Sequence, residues 1–161
     1  YEIPLGEPNV KREGKDITIL TIGATLYRAL EAAKTLEEKY GMSAEVIDAR
    51  SLVPFNYEKV LASVKKTGRI VIAGDATARG SFLNDLARNI TELAFDYLDA
   101  PAVVLGSRDW ITPAYELEYA FFPQPDSFLD IIHEKIVPLQ GYVPTRNYTD
   151  AEQIRRAKEG I

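Results

Sequence analysis

Residues 44–56, AEVIDARSLVPFN, decide the fold of this chain. The apolar run at 44–47 predicts a buried strand, and the loop that follows holds Asp48, Arg50 and Pro54 before a helix starts near residue 57. A turn at 65–68 and a second apolar run at 69–73 come next. The order strand, loop, helix, turn, strand predicts one right-handed parallel crossover unit. Open α/β sheets bind ligands at the carboxyl ends of such strands.

Strands and helices alternate on both sides of this unit. Strands are predicted at 17–22, 44–47, 70–73 and 102–105, and helices at 24–40, 57–64, 82–97 and from 126 or 127 to about 137. Asn56 and Ser81 are candidate N-caps. Residues 1–16 are rich in turn formers and charge, which indicates a segment that enters the domain without joining its core. The alternation predicts an α/β domain of three layers, α/β/α.

The C-terminal end differs from the rest of the chain. Residues 141–148 are predicted to be extended, and residues 149–158 to form a capped, highly charged helix. We therefore divide the chain into a domain at 1–140 and a C-terminal extension at 141–161.

The composition excludes several classes of protein. A chain of 161 residues, 46% of them apolar, fits one domain. It has no cysteine, which excludes disulfides and thiol chemistry, and its net charge of -5 disfavours nucleic-acid binding. With no run of about 20 apolar residues and no signal-peptide pattern, we expect a soluble, cytoplasmic protein with no membrane contact. Because the chain starts at Tyr1 and its only methionine is Met42, we expect a piece of a longer polypeptide.

Two candidate catalytic sites fail on the sequence alone. His133 is the only histidine, which rules out a histidine-based triad or a multi-histidine metal site within one chain, and we expect it to be a surface residue. Gly74-Asp75-Ala76 follows a strand, where an aspartate can hold a magnesium ion on a diphosphate. The thiamine-diphosphate motif needs Gly-Asp-Gly and a downstream asparagine, and this chain has neither Gly at 76 nor Asn at 101–104. We assign no catalytic, cofactor-binding or metal-binding residue.

Charged residues at or just beyond the predicted strand ends could gather at one edge of the sheet as a polar rim. The rim consists of Asp48, Arg50, Asp75, Arg79, Arg108, Asp109 and Glu118. One interpretation is a surface that meets a substrate or a neighbouring domain. The other, which we favour, is a set of loop caps and ion pairs that hold turns in place.

Residues 106–125 form an aromatic, loop-like stretch that contains Trp110 and three prolines. It could be a ligand cage, the core of an interface, or a cover for the end of the sheet. Amphipathic rings are enriched where large surfaces meet. We favour an interface over a cage, because the prolines stiffen the segment without adding polar groups that point inward.

Six motifs, in order along the chain, resemble the C-terminal domain of the transketolase superfamily. They are VKREGKDIT (10–18), ALEAA (29–33), EVIDARSLVP (45–54), VKKTGR (64–69), AFDYLDAP (94–101), and PAY (113–115) with LE (117–118). The chain is most similar to the β subunit, or the β part of an α/β fusion, of the thiamine-diphosphate-dependent decarboxylating component of 2-oxoacid dehydrogenase complexes. Pyruvate and branched-chain 2-oxoacid dehydrogenases are such complexes.

This resemblance implies a mixed, mostly parallel sheet of about five strands between helical layers. It implies that thiamine diphosphate and magnesium belong to the full-length enzyme and lie between other domains, so that this domain binds neither and is inactive alone. Its implied roles are assembly of a homodimer or heterotetramer and docking of the peripheral-subunit-binding domain of the lipoyl acyltransferase. For docking the resemblance singles out Asp99, whose carboxylate would face a basic partner.

Two other functions stay open. One is the equivalent domain of a transketolase or deoxyxylulose-phosphate synthase, against which the motif at 96–101 argues. The other is an independent module that binds a small ligand at the polar rim.

Overall fold

The computed structural model describes residues 2–160 and shows a five-stranded sheet with helices on both faces. The strands are β1 Asn9–Arg12, β2 Ile17–Thr21, β3 Ala44–Asp48, β4 Ile70–Thr77 and β5 Val103–Ser107. The helices are α1 Thr25–Tyr40, α2 Glu58–Thr67, α3 Phe82–Ala94, α4 Glu118–Phe121, α5 Pro125–Lys135 and α6 Asp150–Glu159, with 3-10 turns at Phe95–Tyr97 and Tyr115–Leu117. The strand order is β1-β3-β2-β4-β5. β1 is antiparallel to β3 and the other three pairs are parallel, which confirms the expected α/β fold with a mixed sheet.

The expectation that residues 1–16 only enter the domain is wrong for β1. Asn9 pairs with Asp48 and Val10 with Ile47, and a register shift follows between Val10 and Arg12. The strand is short and lies at the edge of the sheet, so only one side of its backbone is paired and little of it is buried. Its sequence therefore carries no apolar run, which is the signal that reveals a central strand.

Each face of the sheet has its own apolar core. On one face β2 residues Ile17 and Ile19 pack with α1 and with Phe128 of α5. On the other face Leu20 and Ile72 pack with α2 and α3. All five residues of β2 are buried, because helices cover this central strand on both sides.

Predicted caps and ends hold in part. The N-cap residue of α2 is Tyr57, one position after the predicted Asn56, although Asn56 Oδ1 accepts a hydrogen bond from the N–H of Glu58, 3.0 Å away. Thr149 caps α6 by accepting from the N–H of Glu152. Ser81 occupies the N-cap position of α3, but its hydroxyl makes no hydrogen bond there. The predicted surface residue His133 is in fact half-buried, and its Nδ1 accepts from the N–H of Leu139 at 2.8 Å. It holds the turn after α5 in place.

β4 and α3 end at residues other than those predicted. β4 runs to Thr77, beyond the predicted end at 73, and α3 stops at Ala94, where a 3-10 turn continues the predicted helix. Within residues 2–160 no helix combines the length and the apolar character that crossing a bilayer requires.

Candidate functional site

The loop after β3 is held by its own polar groups. Asp48 Oδ1 accepts from the backbone N–H of Arg50 at 3.1 Å, and the second carboxylate oxygen lies 3.9 Å from the ammonium of Lys11. Ser51 Oγ donates to the carbonyl of Pro54 at 2.8 Å. Arg50 has a positive φ of 59°, a region that residues other than glycine seldom adopt, and its side chain is exposed. The carboxylate of Asp48 therefore stabilises the turn that presents Arg50.

Asp75 is engaged by the first turns of α1. Its Oδ1 accepts from Thr25 Oγ1 at 2.9 Å and from Arg28 Nη1 at 3.1 Å. An arginine on a carboxylate competes with a divalent cation for the same oxygens, and within residues 2–160 no group of three acidic, histidine or cysteine side chains is placed to hold a metal. These contacts do not fit a magnesium–diphosphate site at Asp75.

The remaining rim residues are Arg79, which follows β4, and Arg108, Asp109 and Glu118, which follow β5. Arg79 Nε lies 3.8 Å from Asp109 Oδ2, and Glu118 is exposed at the start of α4. The N–H of Arg108 donates to the carbonyl of Phe121 at 3.1 Å. Asp48, Asp75 and Asp109 lie at the same edge of the sheet, yet no contact within residues 2–160 joins the partners of one to those of another. Arg79 and Asp109 line one cavity, but among residues 2–160 Asp48 and Asp75 are not part of its lining, so the three carboxylates do not face one common pocket.

The segment Trp110–Phe122, here called the aromatic segment, follows the carboxyl end of β5 and leaves most of its large apolar side chains exposed. Phe121 is buried and anchors it, with the Trp110 ring 6.4 Å and the Phe122 ring 4.8 Å away. The exposed large side chains are Trp110, Ile111 (94% exposed), Tyr115 (83%), Leu117 and Tyr119. Apolar side chains that cluster in the open mark a surface made to be covered.

Asp130 of α5 is fully buried and binds the C-terminal extension. Its two oxygens accept four hydrogen bonds: from Tyr142 Oη at 2.7 Å, from the N–H and Oγ1 of Thr145, both at 2.8 Å, and from the N–H of Arg146 at 3.1 Å. Burial raises the pKa of Tyr142 above its usual range, and the hydrogen bond to Asp130 raises it further. Tyr142 therefore donates its proton to the carboxylate throughout the physiological range of pH. Every acceptor bond of this buried charge comes from residues 142–146.

The extension in turn holds the aromatic segment. Arg146 Nη2 donates to the carbonyl of Tyr119 at 3.1 Å. Further along, Glu134 accepts from the N–H of Tyr148, and Lys135 pairs with Asp150 at the start of α6. The chain from 142 to 150 is thus bound to α5 at several points.

Sequence reasoning missed Asp130, although the sequence contains a signal for it. The residue interrupts the apolar run FLDII at 128–132. A carboxylate inside such a run must be buried with partners, because an unpaired buried charge is very costly. The partners could not be identified, since they lie 12 to 16 residues further on in a stretch without periodicity.

The amino end of the sheet carries Asp99. Its backbone N–H donates to the carbonyl of Gly68 at 2.8 Å, and its carboxylate rests over Gly68, where an added Cβ would collide with Oδ2. Gly68 ends α2 in the left-handed conformation with φ 71°. Asp99 is exposed and forms no ion pair within residues 2–160; nearby, the Lys65 ammonium lies over the Tyr97 ring, 5.0 Å from its centroid.

Around it, the other polar groups of the amino end are paired with one another. Thr18 Oγ1 shares hydrogen bonds with Ser63 Oγ at 2.7 Å and Thr67 Oγ1 at 2.8 Å, all of them buried. Glu45 is buried beneath Lys66, whose ammonium it binds. Burial acts to raise the pKa of Glu45, but the hydrogen bonds from Lys66 and Ser63 outweigh it and hold that pKa below 4.5.

Comparison with known proteins agrees with this architecture. Among solved structures, a split-gene transketolase described as an inactive β4 tetramer superposes with a TM-score of 0.61 at 32% identity, over 76% of this chain and 39% of that one. A transketolase from Campylobacter jejuni superposes with a TM-score of 0.54 over 82% of this chain and 20% of that one. At 17% identity, the second match supports the fold alone.

Several relatives are β subunits of oxidoreductases. The β subunit of acetoin:2,6-dichlorophenolindophenol oxidoreductase from Bacillus subtilis is 38% identical over 83% of this chain and 39% of its own length. The β subunit of the pyruvate dehydrogenase E1 component from the same organism is 35% identical over 81% of this chain and 40% of its own length. The mitochondrial 2-oxoisovalerate dehydrogenase β subunit of Dictyostelium discoideum is 46% identical over 63% of this chain and 27% of its own. The chain thus spans less than half the length of the curated relatives it matches.

A sequence model of the family described as "Transketolase, C-terminal domain" matches residues 6–128. That range contains all five strands and the helices α1 to α4. The chain belongs to the transketolase C-terminal domain family.

Proposed function

We propose that this chain is the non-catalytic assembly domain of the decarboxylating component of a 2-oxoacid dehydrogenase. The full-length protein is then an oxidoreductase that decarboxylates a 2-oxo acid and passes the acyl group to lipoyl groups. Three relatives named above support the choice of enzyme class, since each is a β subunit of an oxidoreductase or dehydrogenase. The proposal for this domain rests chiefly on the exposed aromatic segment at the carboxyl end of its sheet.

Thiamine diphosphate and magnesium belong, in this proposal, to other parts of the enzyme. Asp75 is already bound by Thr25 and Arg28, and the rim carboxylates do not converge on one point. The contribution of this domain is mechanical: it brings subunits together in a homodimer or heterotetramer and keeps the cofactor-binding domains in place. It takes no part in the chemical steps.

The aromatic segment fits an obligate interface. Covering a large apolar side chain releases about 1.5–3 kcal/mol, and the segment offers five such side chains in the open. Its backbone is already fixed by Phe121 from within and by Arg146 from the extension. A surface that is ordered before it is covered loses little conformational entropy on binding.

The experiment that tests this proposal is the substitution Leu117→Asp in the full polypeptide, with subunit association followed by sedimentation. A carboxylate in the middle of a dry interface should weaken association at least about 30-fold, the equivalent of about 2 kcal/mol. Leu93→Asp is the matched control, because Leu93 is 55% exposed against 56% for Leu117 but lies on α3, away from this segment. Equal association of the two variants would overturn the proposed interface.

We also propose that Asp99 docks the peripheral-subunit-binding domain of the lipoyl acyltransferase. Its carboxylate stands beside the C-terminus of α2, where the helix dipole adds further negative potential. Asp96, which directly precedes the exposed Tyr97, adds a second carboxylate nearby in the chain. Negative charge without a partner in its own domain suits a basic ligand and would steer its approach.

The alternatives have less support. A small-ligand module would need the polar rim to converge, and its carboxylates bind separate local partners instead. A transketolase domain shares the fold, as the split-gene structure illustrates. The motif AFDYLDAP at 94–101 and the β-subunit relatives favour the 2-oxoacid dehydrogenase.

A further inference from the structure

Arg108 has a guanidinium group without an acceptor. Its Nε is enclosed by the protein and has no hydrogen-bond partner within residues 2–160. Its two terminal nitrogens also bond to no residue of that range, and they are not enclosed, so they reach the surface. Arg12 has a similarly enclosed Nε, but its Nη2 is bound to Glu37 Oε2 at 2.5 Å. Arg108 is therefore half-buried and unpaired, a combination that folded proteins usually avoid.

Two further positive charges, those of Arg146 and Arg156, act on Arg108. Burial is the largest influence and lowers the pKa of the Arg108 guanidinium; Tyr148 acts in the opposite direction, and the charges of Arg146 and Arg156 lower that pKa further. Arg146 is fixed in place, since its N–H is bound to Asp130 and its guanidinium to the Tyr119 carbonyl. Arg156 instead has a carboxylate partner, in Glu152.

Glu152 is a carboxylate that acts on Arg108, but it is already bound by two other arginines. Its Oε1 accepts from Arg156 Nε at 2.7 Å and from Arg155 Nη2 at 2.9 Å, and its Oε2 accepts from Arg155 Nε at 2.8 Å. These bonds hold the pKa of Glu152 down at about 2. The pair Arg108 and Arg146 is left with no carboxylate partner within residues 2–160.

Arg108 also lies at the edge of the aromatic segment. Its guanidinium carbon is 6.0 Å from the centroid of the exposed Trp110 ring, and its backbone is bound to Phe121. A partner that covers the aromatic segment must therefore also take water away from Arg108. Dehydrating an unpaired guanidinium is strongly unfavourable, which would cancel much of the gain from covering the rings.

We infer that the partner subunit places a carboxylate side chain on Arg108 when it covers the aromatic segment. Two terminal N–H groups in a planar fork match the two oxygens of an Asp or Glu, and Arg146 supplies further positive potential beside them. This contact would fix the orientation of the partner, whereas the aromatic side chains provide most of the contact area. The inference rests on the proposed assembly function and adds the chemistry of the partner at one position.

The test is Arg108→Met in the full polypeptide, with subunit association measured by sedimentation at several salt concentrations. Loss of a buried, hydrogen-bonded charge partner should weaken association at least about 30-fold and flatten its dependence on salt. Arg88→Met is the matched control, because Arg88 is an exposed arginine on α3 that pairs with Glu92, and it should leave association unchanged. Arg108→Met should also unfold at or above the wild-type temperature when unassembled, since it removes an enclosed Nε without a partner.

The results for Arg108→Met and Leu117→Asp together distinguish the carboxylate contact from the proposed interface itself. Association of Arg108→Met within twofold of wild type, in a protein that Leu117→Asp disrupts, would overturn the carboxylate contact and leave the interface standing. If neither substitution weakens association, both are overturned. A third outcome would also overturn the partner carboxylate. In it, phosphate or acetate raises the unfolding temperature of the unassembled wild type but not that of Arg108→Met. This result would identify a free small anion as the ligand of Arg108.

Discussion

The two ends of the sheet treat polar and apolar groups in opposite ways. At the amino end the buried hydroxyls of Thr18, Ser63 and Thr67 bind one another, and Glu45 binds Lys66. At the carboxyl end large apolar side chains of the aromatic segment stand in the open beside an unpaired Arg108. Both ends belong to one rigid sheet, so local stability does not explain the difference. At the amino end the buried polar groups bind one another, although Asp99 and the nearby rings of Phe95 and Tyr97 are exposed, whereas the carboxyl end has the composition of half an interface.

The largest effect is expected for a substitution at Asp130. This residue binds the C-terminal extension, and the extension binds the aromatic segment at the carboxyl end, whereas the amino-end groups named above bind one another without it. Asp130→Asn should lower the free energy of unfolding by about 3 kcal/mol, since the new amide cannot accept all four hydrogen bonds and points a donor at other donors. For a chain of this size the unfolding temperature should fall by about 6–12 °C in calorimetry.

Asp126→Asn is the control for that measurement, since it removes the same charge from an exposed position on the same helix. Hydrogen exchange, followed by mass spectrometry, should further show faster exchange at 115–122 in Asp130→Asn but not in the control. An unchanged rate at 115–122 would mean that the extension does not hold the aromatic segment, and the contrast between the two ends would lose its structural basis.

At the amino end, the carboxylate of Asp99 is exposed and forms no ion pair within residues 2–160, so a change of its charge tests that end directly. Asp99→Lys should weaken binding of the acyltransferase's small basic domain to the assembled enzyme about 10- to 100-fold at low salt, because the charge facing the partner is reversed. Surface plasmon resonance at two salt concentrations measures the effect, which should shrink as salt rises.

Glu31→Lys, an equal charge change on an exposed site of α1, provides the reference for Asp99→Lys. Assembly of the subunits should be normal in both variants. Identical affinities for the basic domain would remove Asp99 from the docking surface, and the amino end would then have no assigned partner at all.

The smallest expected effect concerns Glu45 and pH. Its folded-state pKa lies below 4.5, so it stabilises the fold above that pH and loses this contribution as the pH falls through the lower folded value. Denaturant unfolding between about pH 5 and about pH 3 should therefore show a steeper loss of stability in the wild type than in Glu45→Gln, by on the order of 1 kcal/mol or less. Parallel curves would show that the amino-end network does not depend on this charge.

Much of the fold could be predicted because its central strands are buried on both faces. β2, β3 and β4 appear as apolar runs, and α1 and α3 as amphipathic repeats, so their order alone implies a parallel sheet. β1 was missed for the opposite reason, since an edge strand exposes one side and needs no apolar run. The end of β4 was placed too early because Asp75 and Thr77 are polar, although the strand's backbone continues through them.

The site was less predictable, because its important residues act through distant partners. The sequence predicts that three carboxylates, Asp48, Asp75 and Asp109, lie at strand ends. It does not predict their contacts with Lys11, Thr25 and Arg79. The sequence likewise does not reveal that Arg108 has no hydrogen-bond acceptor within residues 2–160, because residues of opposite charge lie near any charged residue along the chain. Only the three-dimensional arrangement shows that Glu152 is already taken by other arginines.

Gly68 offers a test of the proposed docking surface that changes no charge. Because a Cβ at this position would collide with Oδ2 of Asp99, an alanine there would force the carboxylate aside while leaving the number and the type of titratable groups unchanged. The left-handed φ of 71° would add strain at the end of α2. Gly68→Ala would move the charge of residue 99 and Asp99→Lys would reverse it, so the two variants together separate the effect of its position from the effect of its sign. Transfer of the proposed docking surface to a related domain would require both residues.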